Sequence, residues 1–461
     1  MTTIVVGNCG LGVAPAEGAA AKTLDAINGW MSPEGVSAGE MSTADYLDRL
    51  ESSRLPLNVA TLVPHGPLRI GAMGLADGMP DEGQLLQMRA ELNRALDAGA
   101  FGMSVGLIYP PGMFSPPAEL RPLASDLAGR GRLLTAHIRG SSETLLDAVD
   151  ELIELAESSG VRAHHSHLEA VGSAHWTEIA TILAKEDAAR GRGVVLSHDV
   201  FPYTRAATMM AAIFPPWSLE GGLPKLLERL QQPATRDRIE REIESRRSEW
   251  PPWQAGGWPH NLVGAVGWDG IYIASVGSGR HPDWIGRSLA KIASEVGGSA
   301  FDLVAELMIA EGGDVGQLVG EISGTDDQLA PLLQILSHPA AAVVSDAEDY
   351  GRGGPHPAHA GAFARALRLD REQLHLPAGE MLRRMTTRPA EIIGLAEVGR
   401  LEVGSPADLL LLDLEVVRDR ADWVDPRAFA EGIEAVMIGG KWVVRDGRYD
   451  ARGSGRVLRA N

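Results

Sequence analysis

A single cysteine, Cys9, is all the thiol that this 461-residue sequence possesses, so an intramolecular disulfide is excluded. Positive charge is also short. Lys and Arg number 42 against 61 Asp and Glu, a formal net charge of −19. That balance argues against nucleic acid or an anionic membrane as partner, because both require a basic face. It also opposes long-range steering of an anionic substrate. No stretch approaches the roughly 18 apolar residues of a membrane span. No basic segment followed by an apolar one opens the chain, so a cytoplasmic location is expected. Short internal repeats and low-complexity tracts are absent too.

What is present is a rhythm of apolar strand and amphipathic helix. Strands are expected at Ile4–Val6, Leu57–Val63, Phe101–Ile108, Leu133–His137, Ala163–His167, Val194–Val200 and Ala341–Ser345. Between them, Leu85, Met88, Leu92 and Leu96 recur at spacings of three and four, with Gly99 placed to end the helix. Leu145, Val149, Leu152 and Ala156 form a second such stripe that stops at Gly160. Alternating units of this kind imply a parallel sheet with its helices outside, here an α/β fold of the (β/α)8 barrel type. The count is seven, one short of a closed barrel, so either one strand escapes this reading or the first βα unit is absent from this chain.

From about Trp217 to His338 the rhythm breaks. Helices are expected from about Lys225 to Trp250, opened by Pro224, and are followed by a tryptophan-rich stretch from Trp250 to Trp268. Those tryptophans read as the core of an inserted subdomain. After about Glu397 short strands take over: Gly399–Gly404, Asp408–Leu412, Val436–Ile438 and Trp442–Val444, the last two joined at Gly439-Gly440. The expected organisation is barrel over 1–216, insert over 217–338, barrel again over 339–396 and a small β domain over 397–461.

Active sites of such barrels lie at the C-terminal ends of the strands. Four side chains with metal or acid–base capability fall there: Cys9 in Gly7-Asn8-Cys9-Gly10, His137, His167 and Asp346. One thiolate and two imidazoles suit Zn²⁺ with a position left for water, and an Asp can carry the proton. Singly each is weak, since a strand-end His is more often hydrogen-bonded structure and an Asp after a strand more often a turn residue. Together they gain weight, because a barrel brings strand ends to one mouth. His165 is expected to point inward, a layer below His167. His198 is a rival ligand, and His65, His356 and His359 are loop histidines that could line the pocket.

The segments Thr2–Gly10, Ser104–Gly112, His137-Ile138-Arg139, Ser166-His167-Leu168, Asp199–Tyr203 and Ser345-Asp346 resemble, in order and spacing, the N-acyl-D-amino-acid deacylases of the amidohydrolase superfamily. The likeness spans nearly the whole chain. It includes Gly404–Leu409 and Gly439-Gly440-Lys441, typical of the superfamily's small β domain. The resemblance implies a metal-dependent hydrolase of a non-peptide C–N amide bond. It implies one tightly held zinc on Cys9, His137 and His167, with a second metal site in doubt, and Asp346 as the catalytic acid/base. Tyr109, Arg139, Glu169 and Phe201 are the residues expected to bind the small-molecule amide.

Two departures from the family pattern stand out. Members carry a β segment, a first barrel strand and a His-x-His pair ahead of the Gly-Asn-Cys-Gly turn, and this chain has none of them. Where they commonly read Gly-Val-Thr-Thr, this chain reads Met1-Thr2-Thr3, which carries the expectation that Met1 belongs to a longer reading frame. An in-frame stop immediately upstream in the genomic DNA would sink that expectation. The second departure concerns the substrate carboxylate. Glu169 stands where the family has a Lys, and Phe201, Ala207 and Ala358 stand where it has Tyr, Ser and Arg. An anion in place of a cation should repel a free carboxylate, which points to a neutral, cationic or cyclic amide. A cyclic-amide hydrolase of the hydantoinase or dihydropyrimidinase type, and a metal-binding homologue without turnover, are the alternatives. The sequence leaves the oligomeric state open.

Overall fold

The computed structural model describes residues 1–33, 37, 39–253, 257–347, 349–450 and 453–460. Its parallel strands are β1 (Thr3–Val6), β2 (Asn58–Thr61), β3 (Val63–Pro64), β4 (Gly102–Gly106), β5 (Leu133–His137), β6 (Arg162–His165), β7 (Leu196–Val200) and, much later, β11 (Ala341–Val343). The hydrogen-bonded order is β1-β2 and β11-β7-β6-β5-β4-β3. β2 and β3 are one strand interrupted at Leu62, so the barrel wall has the seven members expected. Its two edges are β1 and β11, and among the described residues no strand joins them.

The middle of the wall is buried, while its β1 edge is partly exposed at Val5. Every residue of β4 and of β5 is buried, which is why those strands read as near-continuous apolar runs. Helix Glu82–Asp97 packs outside them. It is started by a capping box between Asp81 and Gln84 and buries Met88, Leu92 and Leu96. Each such side chain contributes roughly 1.5–3 kcal/mol of burial. Helix Leu145–Ser159 repeats the scheme and ends at Gly160, whose φ of 72° an L side chain would resist.

The insert has its own hydrophobic core, with Phe214, Ile239, Trp258, Phe301 and Met308 at its centre. Around it stand helices Leu223–Leu230 and Pro233–Ser245, and an antiparallel sheet ordered β8 (Ala206–Met209), β10 (Val315–Val319), β9 (Ile271–Val276). Trp258 is buried in that core, whereas Trp253 is exposed. Residues 254–256 of the tryptophan-rich stretch lie outside the described residues.

The C-terminal sheet is antiparallel in the order β12 (Leu409–Leu412), β13 (Ile433–Ile438), β14 (Lys441–Arg445), β15 (Arg448–Tyr449). Gly439 and Gly440 both take positive φ, 55° and 79°, as a two-residue hairpin turn demands. The strand expected at Gly399–Gly404 does not form. Leu401 and Val403 are exposed there, with no neighbouring strand to pair them and no face to bury.

Candidate active site

The Gly7-Asn8-Cys9-Gly10 turn leaves β1 with φ of 79° at Gly7, 53° at Cys9 and 67° at Gly10. The turn passes the end of β4 backbone to backbone. A Cβ on Gly106 would lie 1.9 Å from the Cys9 carbonyl oxygen, and one on Gly10 would lie 2.6 Å from the Gly106 nitrogen. Only glycine permits that approach, and it brings the Cys9 thiol over the barrel mouth. His167, with φ of 38°, and Asp346, with φ of 46°, are also left-handed. Three of the four strand-end residues singled out from sequence therefore adopt a conformation that costs a non-glycine residue about 1–3 kcal/mol.

That distortion resets strand parity. Along β5, Leu133, Thr135 and His137 all face the interior, as simple alternation requires. Along β6 it is His164 that faces inward, while His165 faces out and meets Glu186 of helix Glu178–Gly191, with Nδ1 2.9 Å from Oε1. The expectation for His165 was thus inverted. Alternation counted back from His167 fails because the left-handed residue breaks the register between them. The rival His198 also faces out, its Nδ1 2.6 Å from Glu186 Oε2.

Inside the barrel, Cys9, His137 and His167 bring one ligand atom each to within 4.8 Å of one another. Cys9 Sγ lies 3.5 Å from His167 Nε2, and the two imidazoles meet edge to face with centroids 4.3 Å apart. Both ring nitrogens of His137 are buried without any hydrogen-bond partner. Leaving such groups unpaired costs about 1–3 kcal/mol each. A thiol and two imidazoles with orphaned nitrogens form the donor set of a soft divalent metal, so these residues fit one. Their proton affinities agree with mutual crowding. Burial, and then His167 and His260, hold His137 well below the usual histidine range. His167 is raised despite burial, because Asp346 and Cys9 favour its cation. Burial pushes the Cys9 thiol up to about 11, so a bound cation must displace that proton. Asp346, at the lip of the cavity, is raised by desolvation against the pull of His167.

Beneath the triad lies a polar layer that sequence reasoning passed over. His164 Nε2 is 2.8 Å from Asp199 Oδ2, and Asp199 Oδ1 accepts the His167 backbone N–H. Asn8 Oδ1 accepts from Thr135 Oγ1 at 2.7 Å, and its amide reaches Ser166 Oγ at 3.3 Å. Asp199 thus fixes the backbone of the left-handed residue, and Asn8 ties the Cys9 turn to β5 and to the end of β6. No alternation counted from His165 or His167 leads to His164, since steps of two from either pass it by. His260, on the loop before helix Leu262–Val266 of the insert, also lines the cavity and carried no local sequence signal.

The cavity is about 1610 Å³ and runs from the triad along the edges of β1 and β11 as far as Leu409–Leu412. Tyr109 and Glu169 line it, as do Ala207, Ala358, His356 and His359. The Tyr109 ring lies 5.1 Å from that of His137, tilted by 58°, and its hydroxyl accepts from Thr208 at 2.9 Å. Burial raises Glu169 to about 7, with His167 opposing and Asp346 assisting. Ser141 is its hydrogen-bond partner. Two expected substrate contacts are absent. Arg139 is fully buried outside the cavity, where it grips Glu151 and donates to the carbonyls of Met113 and Ser115. Phe201 packs into the core of the insert, its ring 5.9 Å from that of His356. His65 is neither solvated nor in the cavity. It is buried against Glu119, which Arg69 also holds. His356 is bonded to backbone, to the Arg205 carbonyl at 2.6 Å and the Ala358 N–H at 3.0 Å.

Comparison with known proteins agrees with this architecture. Residues 307–444 match the profile described as "Amidohydrolase family". An N-acyl-D-glutamate deacylase of Alcaligenes xylosoxydans xylosoxydans is 32% identical over 100% of this chain and 80% of its own length. A D-aminoacylase of the same organism is 27% identical over 99% of this chain and 81% of its own. Among solved structures, the N-acyl-D-glutamate deacylase of Bordetella bronchiseptica, in complex with zinc and a phosphonate inhibitor, superposes with a TM-score of 0.77 at 30% identity. That match covers 100% of this chain and 83% of the other. A D-aminoacylase structure gives 0.76 at 25% identity, over 99% and 82%. Identity sustained along the full length, on a shared fold, leaves one conclusion: the chain belongs to the N-acyl-D-amino-acid deacylases, the D-aminoacylase family of metal-dependent amidohydrolases, which act on carbon–nitrogen bonds other than peptide bonds.

Proposed function

We propose that this protein removes the acyl group from an N-acylated amino acid or a closely related amide, using one zinc ion held by Cys9, His137 and His167. The observation that carries the reading is the convergence of those three ligand atoms around the unpartnered nitrogens of His137. Zinc held there supplies Lewis acidity toward the scissile carbonyl and acidifies water. Asp346 takes the proton of the attacking water. Its raised proton affinity suits it to hold that proton and return it to the leaving nitrogen. The C–N bond then breaks to give a carboxylic acid and an amine. Tyr109 flanks the reacting carbonyl from the side of His137.

Glu169 sets the substrate class. Among the described residues no Lys or Arg pairs with it, and Arg352, a cation of the cavity wall, is already held by Asp314 at 2.8 Å. A buried, uncompensated acid disfavours a second carboxylate on the substrate and favours a neutral or cationic side chain. A single thiol that must stay reduced to bind metal supports a cytoplasmic setting.

The test is zinc content by elemental analysis, followed by amine release from a panel of N-acetyl-D-amino acids with acidic, neutral and basic side chains, and from hydantoins. We expect about one zinc per chain and hydrolysis of neutral and basic members. Metal-loaded, folded protein that releases amine from none of them would overturn the reading. Turnover of hydantoins alone would move it to the cyclic amides.

A further inference from the structure

We infer that His260, supplied by the inserted subdomain, donates a hydrogen bond from Nε2 to an oxygen of the substrate at the metal end of the cavity. This rests on the amide-hydrolase reading above, but it concerns a residue that none of the site motifs contains.

The argument starts from what holds the ring. The Ser141 backbone N–H donates to His260 Nδ1 at 3.4 Å, and Ser142 Oγ lies 3.1 Å from the same nitrogen. A backbone N–H can only donate, so Nδ1 is an acceptor and carries no proton. The proton of the neutral ring is therefore on Nε2. That nitrogen bonds to no group among the described residues, and the ring lines the cavity. The residue is also fixed in place. On one side Trp258 is buried in the core of the insert. On the other, Asn261 accepts from the Gly264 N–H and donates to the carbonyls of Ile243 and Arg246. Pro259 accepts from Thr144 Oγ1 at 2.5 Å. Gly140 makes the approach possible, since a Cβ there would fall 2.9 Å from the Pro259 oxygen. The loop that follows β5, and so follows His137, is thereby clamped to the insert through His260.

A neutral donor held this way needs no reorganisation to meet charge that develops on a substrate oxygen, which is where such a donor is worth most. Ser141, whose N–H holds the ring, stands four residues after His137 on the loop that leaves β5, which puts the donor at the triad end of the cavity. Ser141 joins the two sides of the mouth. Its N–H orients His260 and its side chain bonds Glu169.

Two measurements test the proposal on the full, zinc-loaded chain. The first is the imidazole ¹⁵N–¹H correlation spectrum, which should show His260 as a neutral ring protonated at Nε2. A ring protonated at Nδ1 would overturn the proposal without reference to any substrate. The second uses His260→Asn and His260→Gln. Asn keeps an acceptor for the Ser141 N–H and removes the donor to the cavity, whereas Gln restores an N–H near the position of Nε2. His260→Asn should keep its zinc and its melting temperature. It should lose roughly tenfold to a hundredfold in kcat/KM, and a similar factor in affinity for a phosphonate analogue of the tetrahedral adduct. His260→Gln should recover part of both. Wild-type kcat/KM and phosphonate affinity in His260→Asn would overturn the proposal. A wild-type chain that turns over no amide would defeat the deacylase reading instead, and the spectrum and the phosphonate affinity would still decide the role of His260.

Discussion

Two histidine clusters stand on opposite faces of the barrel wall, and they differ in what satisfies them. On the inner face His167 meets His137 and Cys9, and the nitrogens of His137 have no hydrogen-bond partner among the described residues. On the outer face His165 and His198 share the two oxygens of Glu186, itself held by Arg190. Both clusters are buried and both are rich in imidazole. One is closed by a carboxylate that the chain provides, and the other is left open toward a cavity. Burial and residue type therefore do not separate a binding centre from a structural one. Convergence of ligand atoms does: Cys9, His137 and His167 bring theirs within 4.8 Å of one another, whereas on the outer face the single orphaned nitrogen, His198 Nε2, has no such set around it among the described residues.

The sharpest way to break the comparison is to remove one imidazole from each side. His137→Ala should abolish zinc binding and all turnover, seen by elemental analysis and amine release. His165→Ala should retain the metal. If His137→Ala keeps a full complement of zinc, the inner cluster is not the metal centre. Next in size is Asp346→Asn, which leaves the ligand set intact. We expect zinc to be retained while kcat falls about 10²- to 10⁴-fold.

On the outer face the expected effects are on stability. Glu186→Ala leaves two buried imidazoles facing each other without their anion, and should cost about 3–5 kcal/mol in denaturant unfolding. Activity per folded molecule should stay near that of wild type. The pH dependence follows from the same groups. Burial holds His198 below the ordinary histidine value of 6.5. The unfolded chain therefore binds a proton that the folded one refuses, and stability begins to fall as pH drops below about 6.5. Burial opposes ionisation of Glu186, but His198 and His165 outweigh it and hold the carboxyl far below 4.5. Its contribution is present above the unfolded value and is lost as pH falls toward the folded one. Both terms make the protein acid-labile. The variant Glu186→Gln should show a shallower loss below pH 5 in a pH series of melting temperatures, and an unchanged slope would place the acid lability elsewhere.

Much of this was legible in the sequence because period and turn chemistry are local properties. The seven wall strands, the helix ends at Gly99 and Gly160, and the Gly439-Gly440 hairpin follow from spacing and from glycine. The convergence of Cys9, His137, His167 and Asp346 followed from placing reactive residues at strand ends, which a barrel gathers automatically. Gly399–Gly404 misled because alternation without a partner strand does not make a sheet. Arg139 and Phe201 misled because proximity to a site along the chain does not say which way a side chain turns.

The sequence by itself determined the order of strands and helices, the placing of Cys9, His137 and His167 at strand ends as candidate metal ligands, and the acid Glu169 on the cavity wall. Tertiary structure alone decided which histidine of the pair His164-His165 faces inward, since a left-handed residue at His167 shifts the parity that a regular strand would keep. It also decided that a loop 60 residues beyond Val200, the last residue of β7, brings His260 to the mouth. No periodicity records such a contact, because it arises from the packing of two separate cores and not from the geometry of one element.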